Sequence, residues 1–324
     1  MKIRFLVWCF FLNCFFCFGQ KNKKNKYENI EISRTTNIIL TLLDPFYRMV
    51  DFDSSAQAID HLGKKKTEKS VEKFEDFLLF NTQSFQGVSV LQYQHKFSTG
   101  NPLILYLAGG EFLYGPKPYQ KNYFIKLALD TQNDLWIPDL HKNSALSWEK
   151  KIQHLVDLFL LAYKDYPTIY LVADQSSSLV VIEVLKRLEN TSFKPKQIVL
   201  LNPWTNLDLP QEKNLQTYWP CHLDLARVHY TLETYPFRNE NSLIKLLDLV
   251  EHYQTKLEVF YAKEDLFGDQ WKAFAEGSFL LSSGKIQKHT IPNAMELWLS
   301  NSFLFVESEK LQKRLVYLFD KPKN

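Results

Sequence analysis

The chain reads as an α/β protein with a mostly parallel central sheet flanked by helices, and three features predict it. Short β-rich runs alternate with stretches of helical length from about residue 87 to the C-terminus, the pattern of a parallel sheet covered on both faces. One run, Leu103-Ile-Leu-Tyr-Leu107, is apolar without alternation, as a strand buried on both faces must be. The 324 residues are 45% hydrophobic and 15% aromatic, enough for one large core, and the composition is neither collagenous nor repetitive.

The chain opens with a targeting or anchoring segment over residues 1–26. Lys2 and Arg4 precede an apolar run from Phe5 to Phe18, and Cys17-Phe18-Gly19 supplies small residues at the spacing of a cleavage site. This is the layout of a signal peptide cut near Gly19. The run is shorter than the ~20 apolar residues of an ordinary spanning helix, so a short signal-anchor stands beside it as the alternative. Either way the body is expected in the secretory pathway, in the endoplasmic reticulum lumen or membrane-anchored, with membrane association through residues 5–18. Asn190-Thr191-Ser192 is a glycosylation sequon that fits a lumenal body.

Six basic residues and no acid lie in Met1–Lys26; without them, 33 of the 39 Lys and Arg remain against 36 Asp and Glu. A body so close to neutral lacks the basic face that nucleic acid requires. Cys9, Cys14 and Cys17 sit inside the apolar run and leave Cys221 alone in the body, so neither a disulfide framework nor a zinc site is expected.

Residues 27–324 read as one domain, with 27–85 a helical cap region and 86–324 the core. Ile38, Ile39, Leu42 and Leu43, then Val71, Phe74, Phe77 and Leu78, recur at helical spacing up to about Phe80. Beyond Gly87, strands are expected at Val88–Lys96, Leu103–Leu107, Leu135–Asp139, Thr168–Ala173, Gln197–Leu201, Leu257–Ala262 and Lys285–Ile291. Helices are expected at Tyr119–Asp130, Trp148–Tyr163, Ser178–Leu188, Ser242–Tyr253, Asp269–Leu280 and Glu307–Phe319. Function in such a sheet belongs at the carboxyl ends of the strands.

Two of those turns carry chemistry. Ala108-Gly109-Gly110-Glu111 follows a strand, and paired glycines let backbone N–H groups approach a ligand as an oxyanion hole requires; a tight turn that needs glycine explains them equally. No Gly-x-Gly-x-x-Gly pattern supports a dinucleotide cofactor, and no cofactor of any kind is expected. After Val172, the run Ala173-Asp174-Gln175-Ser176-Ser177-Ser178 enters a helix, the strand, sharp turn and helix of a nucleophile elbow. Its apex is Gln175, whose amide cannot serve as an acyl-accepting nucleophile.

These segments resemble those of the hormone-sensitive-lipase-like hydrolases, and most of all the steryl acetyl hydrolase branch. Tyr106-Leu-Ala-Gly-Gly-Glu-Phe112 is similar to their Tyr-x-His-Gly-Gly-Gly-Phe segment, and Val172-Ala-Asp-Gln-Ser-Ser177 to their Val-Gly-Asp-Ser-Ala-Gly elbow. Ile137-Pro-Asp-Leu140, Leu201-Asn-Pro-Trp-Thr-Asn-Leu207 and Lys263-Glu-Asp265-Leu-Phe-Gly-Asp269 resemble their later strand ends, and Ile291-Pro-Asn-Ala-Met-Glu296 stands where their histidine segment lies. The resemblance spans about Pro102 to the C-terminus and implies an α/β-hydrolase fold. It puts the family serine on Gln175, the histidine on Glu296 and the triad acid on Asp265, so only the acid is kept. Gly109, Gly110 and Ser176 fall on the oxyanion-hole positions, with Glu111 replacing a glycine where negative charge would develop.

Two functional readings follow. In the first the chain is a catalytically inactive hydrolase-like protein, a pseudoenzyme, that binds a protein partner or an apolar small molecule such as a sterol or lipid ester. In the second it is an active carboxylic-ester hydrolase with displaced residues, Ser176 or Ser177 as nucleophile and His289 as base. His289 is expected at the wrong end of its strand for that role, and His141 in a solvated loop.

Overall fold

The computed structural model describes residues 76–97, 99–109, 115–141, 146–204, 235–236, 242–262, 284–291 and 306–319. The described residues include eight strands: β1 (Leu78–Phe85), β2 (Val88–His95), β3 (Leu103–Leu107), β4 (Asp134–Asp139), β5 (Ile169–Asp174), β6 (Gln197–Leu201), β7 (Lys256–Ala262) and β8 (Ile286–Ile291). They form one sheet in the order β1-β2-β4-β3-β5-β6-β7-β8. β3 through β8 are parallel to one another, while β2 runs antiparallel to both β1 and β4.

Among the described residues five helices cover the two faces: α1 (Pro118–Thr131), α2 (Trp148–Asp165), α3 (Ser177–Leu188), α4 (Ser242–Tyr253) and α5 (Val306–Phe319). Side chains alternate between faces along a strand, and β3 shows the division directly. Leu103, Leu105 and Leu107 join a core with residues of α2, α3 and α4. Ile104 and Tyr106 join a second core with residues of α1 and α5. All five residues of β3 and all six of β5 are buried, which is why their sequences carry no alternation. This is the mostly parallel sheet flanked by helices that the strand and helix pattern predicts, in the arrangement that the resemblance implies.

One segment is corrected. The helical periodicity ends at Phe77, because Leu78–Phe85 is the edge strand β1, paired residue for residue with β2 from Leu78↔His95 to Phe85↔Val88. β1 is exposed over most of its length, so its partner's backbone rather than burial of one face holds it, and no period of two marks it in the sequence. Gln86 and Gly87 close the hairpin at φ of 48° and 88°, the left-handed pair that a two-residue turn demands. The 27–85 cap region therefore loses its last eight residues to the sheet. Residues 27–75 of that region and the helix expected at Asp269–Leu280 lie outside the described residues.

Asp134, at the start of β4, ties three elements together. It accepts from the Asn101 amide and the His95 backbone at 3.2 Å each and from the Tyr166 hydroxyl at 3.0 Å, so a carboxylate only 8% exposed is fully engaged. Tyr93, on β2, is the opposite case: its hydroxyl is buried with no hydrogen-bond partner among the described residues. Burial pushes both the Tyr93 and the Tyr166 phenols up to about 12.

An unfolded tyrosine ionises near 10. Above that pH the unfolded chain holds fewer protons than the folded one, so the stability these phenols contribute is whole below pH ~10 and is lost as pH climbs to about 12. Urea midpoints measured across that window are expected to fall, and Tyr93→Phe to shallow the fall while leaving the midpoint at neutral pH unchanged or higher. An equal alkaline slope in the variant would refute the burial of that hydroxyl.

Candidate functional site

The carboxyl ends of β3 and β5 meet at a turn whose geometry is set by one residue. Gln175 follows β5 directly and has φ of 47°, a left-handed conformation that costs a residue with a side chain about 1–3 kcal/mol. Four hydrogen bonds hold it there. Its N–H donates to the Leu201 carbonyl at 2.9 Å, and its own carbonyl accepts from Ser178 N at 3.1 Å and Trp204 N at 3.3 Å. The Ser178 hydroxyl donates to the same carbonyl at 2.6 Å and lies 2.8 Å from the Trp204 carbonyl. The turn is thus a sharp bend from strand into α3, as the sequence predicts, with a glutamine at its crest.

Backbone proximity explains Gly109. A Cβ there would lie 2.8 Å from the Asp174 carbonyl oxygen and 2.9 Å from Gln175 Oε1, so the amide of Gln175 packs against the end of the β3 turn. Gln175 is 4% exposed. Its side chain fills the space over Gly109 that the resemblance assigns to an oxyanion.

Of the two fallback nucleophiles, one is committed to a hydrogen bond and the other is buried. Ser177 donates its hydroxyl to the Ala108 carbonyl at 2.5 Å, which ties the start of α3 to the end of β3. Ser176 is fully buried, and its hydroxyl has no partner among the described residues. Beneath the turn, Asp174 accepts from Gln120 Nε2 at 3.0 Å and from the Tyr106 hydroxyl at 3.4 Å. Burial, then the Asp174 charge, drives the Tyr106 phenol well above its ordinary range, so it stays a proton donor. Gln120 Nε2 also lies 3.4 Å from the Gly109 carbonyl, joining α1 to both turns. Sequence reasoning missed Gln120; the only signal was its place three residues into a helix that opens on Pro118, where its Oε1 accepts from the Lys117 backbone at 2.9 Å.

Histidine does not come to the turn from the places the sequence suggested. His289 lies within β8, stacked on Phe260 at 4.4 Å between ring centroids and bonded through Nε2 to Glu258 at 2.5 Å. Three strand spacings separate β8 from β5 in the sheet order, roughly 14 Å at the usual interval. The pairing of His289 with Ser176 or Ser177 is therefore corrected: the two sites are apart. His141 is an exposed loop residue whose backbone N–H donates to Asp139 at 3.0 Å. Elsewhere, His95 bonds the Ala128 carbonyl and His252 the Glu189 carbonyl. Asp139 lies beside two ammonium groups, Lys121 and Lys151, whose pKa values burial lowers and its charge raises.

Gly110, Glu111, Asp265 and Glu296 lie outside the described residues, as do Cys221 and the segment 5–18. Asn190 is exposed just past α3. Among the described residues no group of His, Cys, Asp or Glu is arranged to hold a metal ion, and no helix is long and apolar enough to cross a membrane.

No protein-family model and no curated protein matches the chain. Solved structures do. An esterase from the bacterial hormone-sensitive lipase family shares 14% identity at a TM-score of 0.65, over 90% of this chain and 98% of its own. A hormone-sensitive lipase from a metagenome library gives 15% and 0.65 over 90% and 99%. Carboxyl esterase 2 from the mycorrhizal fungus Tuber melanosporum gives 13% and 0.66 over 89% and 97%. Likeness at this identity establishes the α/β-hydrolase fold.

Two substitutions test the turn. Gly109→Ala drives a methyl into the Asp174 carbonyl and is expected to destabilise by about 1–3 kcal/mol, read as a lower thermal midpoint. Ser176→Ala removes a buried hydroxyl that no described residue satisfies and is expected to leave the midpoint equal or raise it. A marked loss in Ser176→Ala would reveal a hydrogen bond to that hydroxyl and overturn this description.

Proposed function

We propose that this chain is a non-catalytic member of the hydrolase fold, a binding or scaffolding module rather than an esterase. The observation that carries the reading is Gln175: an amide occupies the crest of the elbow and covers Gly109. Acyl transfer needs a nucleophile there, with a general base in hydrogen-bond reach. Ser177 spends its proton on the Ala108 carbonyl, Ser176 is sealed from solvent, and His289 is bonded to Glu258 on another strand. The resemblance adds Glu296 in place of the histidine and Glu111 where an oxyanion would need donors; a carboxylate there opposes the charge that ester hydrolysis develops.

The ligand we propose is a protein partner or an apolar small molecule, and the fold does not choose between them. The site to probe is the carboxyl edge around Gln175. A fluorophosphonate probe offered to the intact protein is expected to label no serine, and aryl acetates to turn over no faster than with buffer. Labelling that vanishes in Ser176→Ala or Ser177→Ala would establish the esterase reading instead.

The location we propose is lumenal or extracellular, with residues 1–26 as cleaved signal or retained anchor. Asn190 and Ser192 are both exposed, so the sequon is open to the glycosylation machinery. Protein secreted from eukaryotic cells is expected to lose mass on N-glycosidase digestion, and Asn190→Gln to abolish the loss. An unglycosylated product, with every cysteine and lysine accessible only from the cytosolic side, would sink this placement.

A further inference from the structure

The opposite edge of the sheet holds a second constellation that the elbow does not use. In β6, β7 and β8 the register places Gln197 beside Lys256 and Glu258 beside Gln287. Residues two apart share a face, so Gln197, Lys256, Glu258, Gln287 and His289 all stand on the face that α5 covers. An inward face under a helix is ordinarily apolar, and further along the same strands Val199, Leu201 and Phe260 are. Lys256 and Gln287 are exposed, but Gln197 and Glu258 are buried and break that pattern, and such local departures from the packing rules mark functional sites.

They line a cleft of about 630 Å³ together with Lys288, Arg314, Tyr317 and Leu318, inside the ~300–1,000 Å³ of small-molecule sites. Its floor is Glu258, 2% exposed. That carboxylate accepts from Gln197 Nε2 at 3.3 Å and pairs with His289 at 2.5 Å, with an Arg314 nitrogen 3.9 Å away. Arg314 in turn donates to Gln287 at 3.3 Å and lies over the Tyr317 ring at 5.4 Å. The floor charge is therefore compensated from within, and the guanidinium is held by a polar neighbour and an aromatic face.

What remains unbalanced is the rim. Lys256 and Lys288 are exposed, and among the described residues neither ammonium group is paired with a carboxylate. Lys288 starts from the other face of the strand and also lines the cleft, its long stem able to carry the charge toward it. Among the described residues, three cations thus line one concavity that contains a single, already partnered, carboxylate.

We propose that this cleft binds a small organic anion, its carboxylate or phosphoryl oxygens set between Lys256, Lys288 and Arg314 and its apolar part against Tyr317 and Leu318. Charge-assisted hydrogen bonds of this kind recognise either oxyanion, and Arg314 presents the planar fork suited to both. The site stands at the amino ends of the strands, away from Gln175, so it holds or fails independently of the pseudoenzyme reading.

Isothermal titration of the full chain with phenyl phosphate and, separately, with benzoate at low ionic strength tests it. Saturable one-to-one binding of at least one probe is expected, and the tighter of the two assigns the oxyanion class. Lys256→Gln/Lys288→Gln is expected to weaken it about tenfold or more, whereas Lys150→Gln/Lys164→Gln, an equal charge loss on the exposed face of α2, leaves it unchanged. Absence of saturable binding to both probes, or equal affinity in the two double variants, overturns the proposal.

Discussion

A left-handed backbone at a residue that carries a side chain persists only where its surroundings over-determine it, and the bend at Gln175 is that constraint for this molecule. Its N–H and carbonyl are fixed by Leu201, Ser178 and Trp204. Those partners belong to the end of β6 and the start of α3, so the bend sets how β5, β6 and α3 meet. Ser177 then ties α3 to β3 through Ala108, and Gln120 ties α1 to the same place through Asp174 and Gly109. The bend, the glycine that permits close approach and the helix start are parts of one packed unit.

The sheet divides its chemistry between its two edges. At the carboxyl edge most of the polar groups are turned inward: Asp174 is served by Tyr106 and Gln120, Gln175 rests on Gly109, and the Ser177 and Ser176 hydroxyls are bonded and buried respectively. At the amino edge a buried carboxylate is likewise satisfied, yet among the described residues two lysines stand at the opening without acids. The contrast lies in what the solvent-facing groups have left to give. A closed set of hydrogen bonds rigidifies a fold, whereas unpaired cations around a concavity present a field to a ligand.

Much of this was legible in the chain because the core strands are short, apolar and punctuated. β3, β5 and β6 are buried on both faces and read as continuous runs, and the elbow declared itself through small residues between a strand and an amphipathic helix. β1 was not legible, since an edge strand exposed on both faces has no pattern for burial to impress on its sequence; the Gln86-Gly87 turn was its one local mark. Gln120 escaped because its side chain acts across 54 positions of sequence, on Asp174, and no spacing rule reaches that far. The same applies to the cleft: Gln197, Glu258, His289 and Arg314 come together only through strand register and the docking of α5.

A bend with a glutamine at its crest bears on what strained geometry means. Strain at a turn of this kind is usually read as a device for presenting a nucleophile. Here it needs no such account, because relaxation would cost the hydrogen bonds to Leu201, Ser178 and Trp204 and shift a helix whose first residues are all buried. Several hydrogen bonds, each worth about 1 kcal/mol net and more if left buried and unmade, outweigh the ~1–3 kcal/mol of one left-handed residue. The conformation is kept by architecture, and only the side chain at its crest decides whether it serves chemistry. An amide there makes the strained turn a structural joint.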